Sequence, residues 1–368
     1  MPKLLKHSSF ARSTRIALFS AAAFLAPLLA SAPAHAADPI PVAGGLNAPR
    51  GLAFGPDGNL YVAEGGTGGT NSTAGQCDQV VPPIGPYTGS ETGGRISMID
   101  SQGNRTTVID TLPSSQTNEM SLVSGVADIA FIGKTMYAIL AGAGCSHGVT
   151  SLPNAVLRID PASHSATMVA NLSAYQQTHP TAVIEPDDFE PDGTWYSMLA
   201  VNGALYAVEP NHGEIDKITT GGDISRLIDI SASQGHAVPT ALAYHGNFYV
   251  GNLGPFAPNM SGTSKVWKVN PGGQIKAVAS GFDLILGLAF DNYDRMYVLE
   301  MAAGGQLPAP FAGRITRVEP SGKKTVIADH LMFPTGMTVG PDGFLYVSTF
   351  GFGTPPGSGQ IVKFDITH

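Results

Sequence analysis

Charge is what this sequence has least of. Asp, Glu, Lys and Arg together make up 13% of 368 residues, with only two cysteines and two tryptophans. Beyond residue 36 no apolar run approaches the ~20 residues that a spanning helix needs. There is no H-x-x-x-H ligand pair, no G-x-S-x-G elbow and no P-loop, so zincin, serine-elbow and nucleotide-phosphate chemistry have no support in the motifs. What is abundant is Gly (45) and Pro (28) within a chain that is 43% hydrophobic. That profile argues against helices. The regular recurrence of apolar residues argues against disorder. Many short strands joined by turns fit both.

The N-terminus stands apart. Lys3, Lys6, Arg12 and Arg15 make a basic start, residues 16–30 are apolar, and Ala34-His35-Ala36 has the A-x-A pattern of a signal-peptidase site. The expectation is a cleaved leader over residues 1–36, a mature domain over 38–368 and a secreted or periplasmic address. Those first 36 residues hold four of the 20 Lys and Arg and none of the 28 Asp and Glu, which leaves −12 on the remainder. Such an acidic surface excludes nucleic acid and anionic lipid as natural partners. Two cysteines in an exported chain point to one disulfide.

One strand pattern occurs six times. It runs Leu60-Tyr61-Val62, Met136-Tyr137-Ala138, Leu205-Tyr206-Ala207, Phe248-Tyr249-Val250, Met296-Tyr297-Val298 and Leu345-Tyr346-Val347. Before it stands a small apolar strand, as in Gly51-Leu52-Ala53-Phe54 or Gly287-Leu288-Ala289-Phe290, joined by turns such as Gly55-Pro56-Asp57-Gly58 and Asn202-Gly203. Pro presets φ, and Asn and Gly accept positive φ cheaply, so these are hairpin turns. An alternating third strand follows, such as Arg95-Ile96-Ser97-Met98-Ile99 or Arg314-Ile315-Thr316-Arg317-Val318, and then a fourth, such as Thr107-Val108-Ile109. Four antiparallel strands, A to D, repeated six times predict an all-β fold, a six-bladed β-propeller. The last repeat lacks strand D. Ile40-Pro41-Val42-Ala43-Gly44-Gly45-Leu46 has the character of the missing piece, so the N-terminal strand is expected to close the ring.

All A–B and C–D turns are short, whereas residues 65–94, 142–154, 171–194, 251–264, 301–313 and 351–359 are long and fall on the B–C/D–A face. Long loops gathered at one end of a rigid scaffold predict the binding face. Cys77 and Cys145 lie in the B–C loops of neighbouring blades 1 and 2 and are expected to pair. The B strands end in Glu64, Glu209, Asn252 and Glu300. Asp128 occupies an A-strand slot that is Gly51, Ala241, Gly287 or Gly336 in other blades. A carboxylate there should point at the crowded axis, and oxygen ligands from several blades can hold Ca2+ or a similar divalent cation. The alternative is that these groups satisfy backbone amides in tight turns. Arg50 suits an anion at the channel mouth or a salt bridge. His147 and His212 suit acid–base work or ligation, and residues 185–190 form an acidic loop. The tyrosine recurring in one strand slot reads as packing between blades.

The Pro-Asp-Gly turn before Leu-Tyr-Val, and Glu209-Pro210-Asn211-His212-Gly213 before a C strand, resemble NHL-type blades. The mature chain as a whole resembles the ScyD/ScyE family of exported propellers through Gly44 to Gly51, Gly55 to Glu64, the Cys77 loop ending in Gly93-Gly94-Arg95, and Cys145-Ser146-His147-Gly148. That resemblance implies fold and export and fixes no reaction or catalytic residue. The leading functional expectation is a binding or assembly module that takes a small molecule or protein partner on the long-loop face. The alternative is a lactonase-like hydrolase with a central divalent cation, for which Glu64, Asp128, Glu209, Asn252 and Glu300 would have to converge. A quinone-dependent sugar dehydrogenase lacks a distinctive motif.

Overall fold

The computed structural model describes residues 38–119, 122–184, 189–254, 261–304 and 308–367. The leader and residues 185–188 of the acidic loop lie outside the described residues.

Six sheets of antiparallel strands make six blades. Blade 1 holds β2 (Pro49–Phe54), β3 (Leu60–Glu64), β4 (Thr88–Ile99), β5 (Arg105–Gln116) and a short fifth strand, β6 (Val123–Ser124). Blade 2 holds β7 (Val126–Ile132), β8 (Thr135–Leu140), β9 (Ala155–Asp160) and β10 (Ser165–Asn171). Blade 3 holds β11 (Ser197–Val201), β12 (Ala204–Glu209), β13 (Glu214–Ile218) and β14 (Ile224–Asp229). Blade 4 holds β15 (Pro239–Tyr244), β16 (Phe248–Asn252), β17 (Ser264–Val269) and β18 (Ile275–Phe282). Blade 5 holds β19 (Ile285–Phe290), β20 (Met296–Glu300), β21 (Gly313–Val318) and β22 (Lys324–Leu331). Blade 6 takes β23 (Gly336–Val339), β24 (Phe344–Thr349) and β25 (Gly359–Asp365) from the end of the chain and β1 (Ile40–Leu46) from its start. The closing register runs from Ile40 opposite Lys363 to Leu46 opposite Gly359, as the sequence led us to expect.

The turn chemistry is realised locally. Gly58 at φ 82°, and Asn202 and Gly203 at φ 51° and 76°, take the left-handed conformations that turns between A and B require. Strands β3 and β20 are buried along their whole length, because each is sandwiched between neighbouring blades. The recurring tyrosine packs across the blade interface onto an aromatic residue of the next blade. Tyr61 meets Phe131, Tyr206 meets Phe248, Tyr249 meets Phe290 and Tyr346 meets Phe54, with ring centroids 4.5 to 5.2 Å apart. The hydroxyl has a second use that the strand pattern alone does not reveal. Tyr61, Tyr297 and Tyr346 donate to Asp57, Asp291 and Asp342 of their own A–B segments at 2.8 to 2.9 Å. One side chain thus joins blade to blade through its ring and strand to turn through its oxygen.

Blade 1 departs from the expected loop. Residues 88–94 are strand rather than coil, and β4 and β5, each 12 residues long, form a hairpin that outgrows the blade. Its extension pairs Thr88, Gly89 and Ser90 with Gln116, Ser115 and Ser114 across a bulge before Gly94, and β6 adds to that end. The bulge hides the alternation that would announce a strand. Residues 171–194 also carry structure. Asn171 caps α1 (Leu172–Thr178) by accepting from the Ala174 amide. No helix among the described residues is long and apolar enough to cross a membrane.

Candidate functional site at the axial mouth

The disulfide forms between Cys77 and Cys145, with Cα atoms 6.3 Å apart. It ties the long segment before β4 to the 3-10 turn Cys145–His147 in blade 2. Beneath it lies a buried polar node. His147 bonds Ser115 at 3.1 Å through Nδ1, packs edge-on against Tyr87 at 4.8 Å and stands 3.6 Å from Glu190. Ser146 donates to Asp192 at 2.7 Å. Burial pushes the His147 imidazole well below its ordinary value, against the pull of Asp192, so this histidine is a neutral strut. Ser115 and His147 are wholly buried, which denies a reacting group access.

The four B-strand ends share another architecture. Glu64 accepts from the Asn47 amide at 2.6 Å, Glu209 from Thr194 at 2.9 Å and Glu300 from Asp283 at 3.0 Å. Each carboxylate therefore holds the D–A loop of its own blade to the end of its own B strand. In blade 1 the rest of the carboxylate is taken by Arg95 and Ser97, and in blade 5 by Arg314 and Thr316. His212 donates its amide to Glu209 at 2.6 Å and sets its ring nitrogen 3.2 Å away. That contact, with burial opposing it, raises the His212 pKa, whereas Glu209 is held down. Asn252 donates to the Ala237 carbonyl and accepts from the Lys265 amide. The structure does not bring Glu64, Glu209, Asn252 and Glu300 to one point. Among the described residues no group of three His, Cys, Asp or Glu side chains is placed to hold a metal ion. The donor set therefore does not fit a convergent divalent-cation centre, because its oxygens are committed to amides and guanidinium groups of their own blades.

Asp128 alone of that set faces the axis. With Gly51, Leu242, Leu286, Gly287 and Met337 it lines a cavity of about 50 Å³ between the innermost strands. A side chain at Gly51 would collide with the Asp128 carboxylate at 1.9 Å, so the acid of blade 2 requires the glycine beside it in blade 1. Its two oxygens accept from the Ile129 and Met198 amides at 2.8 Å, linking blade 2 to blade 3. Burial nevertheless pushes this carboxyl up to about 7.

Two residues complete the mouth on the long-loop side. Tyr196, ahead of β11, reaches across to blade 6 and donates to the Thr335 carbonyl at 2.7 Å. Arg50, at the start of blade 1, gives one N–H to the Val123 carbonyl at 2.5 Å and sets its guanidinium 5.9 Å from the Tyr196 ring centre. Burial raises the Tyr196 hydroxyl, while Arg50 pulls it back. Sequence reasoning singled out Arg50 and Asp128 but missed Tyr196, whose partner is 139 residues away. Beside Tyr196 lies an apolar cluster built from Leu253, Met301 and Phe352 of the long loops and Leu286 of β19.

No protein-family description matches this sequence, and no curated protein matches it. Solved structures do match in shape. A putative oxidoreductase (glucose dehydrogenase) from Thermus thermophilus is similar at TM-score 0.55 and 19% identity, over 89% of this chain and 99% of that one. A putative gluconolactonase is similar at 0.51 and 12%, over 90% and 93%. The calcium-binding protein regucalcin from Agrobacterium tumefaciens is similar at 0.51 and 12%, over 89% and 93%. At such identities the likeness shows the six-bladed propeller fold alone.

Proposed function

We propose that this protein is an exported binding module of ScyD/ScyE type that takes its partner on the long-loop face, around the axial mouth formed by Arg50, Asp128 and Tyr196. One observation carries the reading: Glu64, Glu209, Asn252 and Glu300 are engaged inside their own blades, whereas Arg50 and Tyr196 stand half-buried at the mouth. Export rests on the leader pattern at Ala34-His35-Ala36 and on the Cys77–Cys145 bond, which suits an oxidising compartment.

The test is mapping by amide chemical-shift perturbation with a library of small fragments. Shifts should gather at the residues around Arg50 and Tyr196. Shifts gathered instead at the short A–B turns, such as Asp57-Gly58 and Asp342-Gly343, would overturn the reading. The lactonase-like alternative draws on the gluconolactonase and regucalcin likenesses. It requires chelator-sensitive turnover of sugar lactones with added Ca2+, and such turnover would replace the binding-module reading.

A further inference from the structure

Arginine is a costly residue to place half-buried without a carboxylate. Among the described residues, Arg95, Arg226, Arg295, Arg314 and Arg317 all pair with acids. Arg50 enters no such pair, and neither does Arg105, which bonds Ser97 at 3.2 Å. Arg50 spends one donor on the Val123 carbonyl, and its planar head lies over the face of Tyr196. Tyr196 is itself fixed at its far end by the bond to Thr335, so the ring is a rigid platform for the guanidinium. A guanidinium has five N–H donors in a fixed fork suited to a carboxylate, and beyond those given to Val123 and to the Tyr196 hydroxyl the rest of the fork has no acid to pair with.

Tyr196, beside that cation, also packs against an apolar cluster. Leu253 and Phe352 pack with Tyr196 in one cluster and are half-buried, and Phe333 sits beside Phe352 with ring centres 5.8 Å apart. Asp128, which lines the same cavity as Tyr196, has both oxygens turned onto backbone amides. The axial cavity beneath is water-sized, at about 50 Å³, so a ligand body has to lie above it, on the wall formed by these side chains.

We propose that the axial mouth takes an organic anion with an apolar body, its carboxylate held by the Arg50 guanidinium and its body laid against Tyr196, Leu253 and Phe352. This rests on the reading of the long-loop face as the binding face and names the ligand class for it. Tyr196 is a positioning residue: it holds the guanidinium in place and leaves the charge to Arg50. A cationic or neutral ligand would leave the fork of Arg50 unused.

The test is calorimetric titration of the mature protein with 4-phenylbutyrate, its neutral analogue 4-phenylbutanamide, and butyrate. The acid should bind, and the amide should bind at least about tenfold more weakly, the loss expected for a charge-assisted pair. Butyrate should also be weaker, for want of a body. Arg50→Ala should bring the acid down to the amide's affinity, with Arg50→Lys in between. Phe352→Ser should weaken acid and amide alike. Lys134→Ala, at the opposite face, should change nothing. Equal affinity for acid and amide in the wild type, with both sensitive to Phe352→Ser, would overturn the anion assignment and leave the binding face standing. Silence of all three probes would overturn the anion assignment and the axial-mouth reading together. Arg50→Ala leaving the acid's affinity unchanged would overturn the role of Arg50, and the acid–amide comparison needs no variant to fold.

Discussion

Blades 1 and 5 solve one problem alike, and blade 3 solves it differently. In all three a glutamate ends strand B and grips the loop ahead of strand A. In blades 1 and 5 the residue opposite it on strand C is an arginine, Arg95 or Arg314, and two residues on stands a hydroxyl, Ser97 or Thr316. In blade 3 the residue opposite Glu209 is Glu214, and two residues on stands Asp216. The ion pair is replaced by a stack of acids, all wholly buried. His212 comes to Glu209 from the B–C turn, Arg226 comes to Glu214 from strand β14, and Trp195 gives Asp216 a weak bond at 3.3 Å. Burial and mutual repulsion raise the carboxyl groups of Glu214 and Asp216, so blade 3 places acids with raised pKa values in the slot that holds a cation in blades 1 and 5, and draws its cation, Arg226, from strand D instead. A blade scaffold fixes the backbone slot and leaves open how its charge is balanced.

The sharpest way to break the comparison is Arg95→Ala. It strands the Glu64 carboxylate in a wholly buried site, and the expected cost is about 3 kcal/mol in urea unfolding, the lower end for a broken buried pair because Arg95 is partly exposed. A cost under about 1 kcal/mol, the range of a surface pair, would show that the Asn47 amide and Ser97 suffice.

The next test is pH. A carboxyl raised in the folded state keeps a proton that the unfolded chain has lost, so its contribution is present at low pH and is lost as pH rises through the folded value. Asp128, Glu214 and Asp216 all shift that way, and the first two are placed near 7. Stability should therefore fall between about pH 6.5 and pH 8, above the range in which the lowered His147 pKa makes stability rise with pH. Asp216→Asn, which keeps an acceptor for Trp195, should raise the melting temperature by a few degrees at pH 8 and leave it near the wild type at pH 5. An equal shift at both pH values would mean that Asp216 carries no linked proton.

The smallest effect sharpens the same contrast at the other end of the blades. Blades 1 and 5 tether their tyrosine to a turn aspartate, and blade 3 has Asn202-Gly203 there instead. Tyr297→Phe should cost about 1 kcal/mol for the lost bond to Asp291, whereas Tyr206→Phe should cost little. Equal costs in denaturant titrations would place the value of the tyrosine in its ring alone.

Much of this was legible in the residues, because repetition carried it. Turn signals and the Leu-Tyr-Val slot recur at each blade, and the closing strand shows its character in Ile40 to Leu46. The pairing of Cys77 with Cys145 follows once two loops are assigned to neighbouring blades. The long β4–β5 hairpin was not legible, since a bulge at Gly93-Gly94 breaks its alternation. The partners of Glu64 and Glu300 had a faint signal: Gly94-Arg95 and Gly313-Arg314 open their C strands alike, whereas blade 3 opens with Gly213-Glu214. The contact of Tyr196 with Thr335 had none, because residues that meet across a ring's axis share no spacing.

The closing strand has a consequence for how the chain is made. Strand β1 leaves the ribosome before the strands of the five intervening blades, and its partner β25 after them, so until those blades are made β1 has no neighbour. A sticky strand kept waiting that long would recruit other chains. Pro41 and the Gly44-Gly45 pair give β1 little to offer a stranger, and even in the finished sheet four of its seven residues are exposed. The strand that locks the ring meets its partner across a separation of about 320 residues, and its proline and glycines give it little with which to recruit another in the meantime.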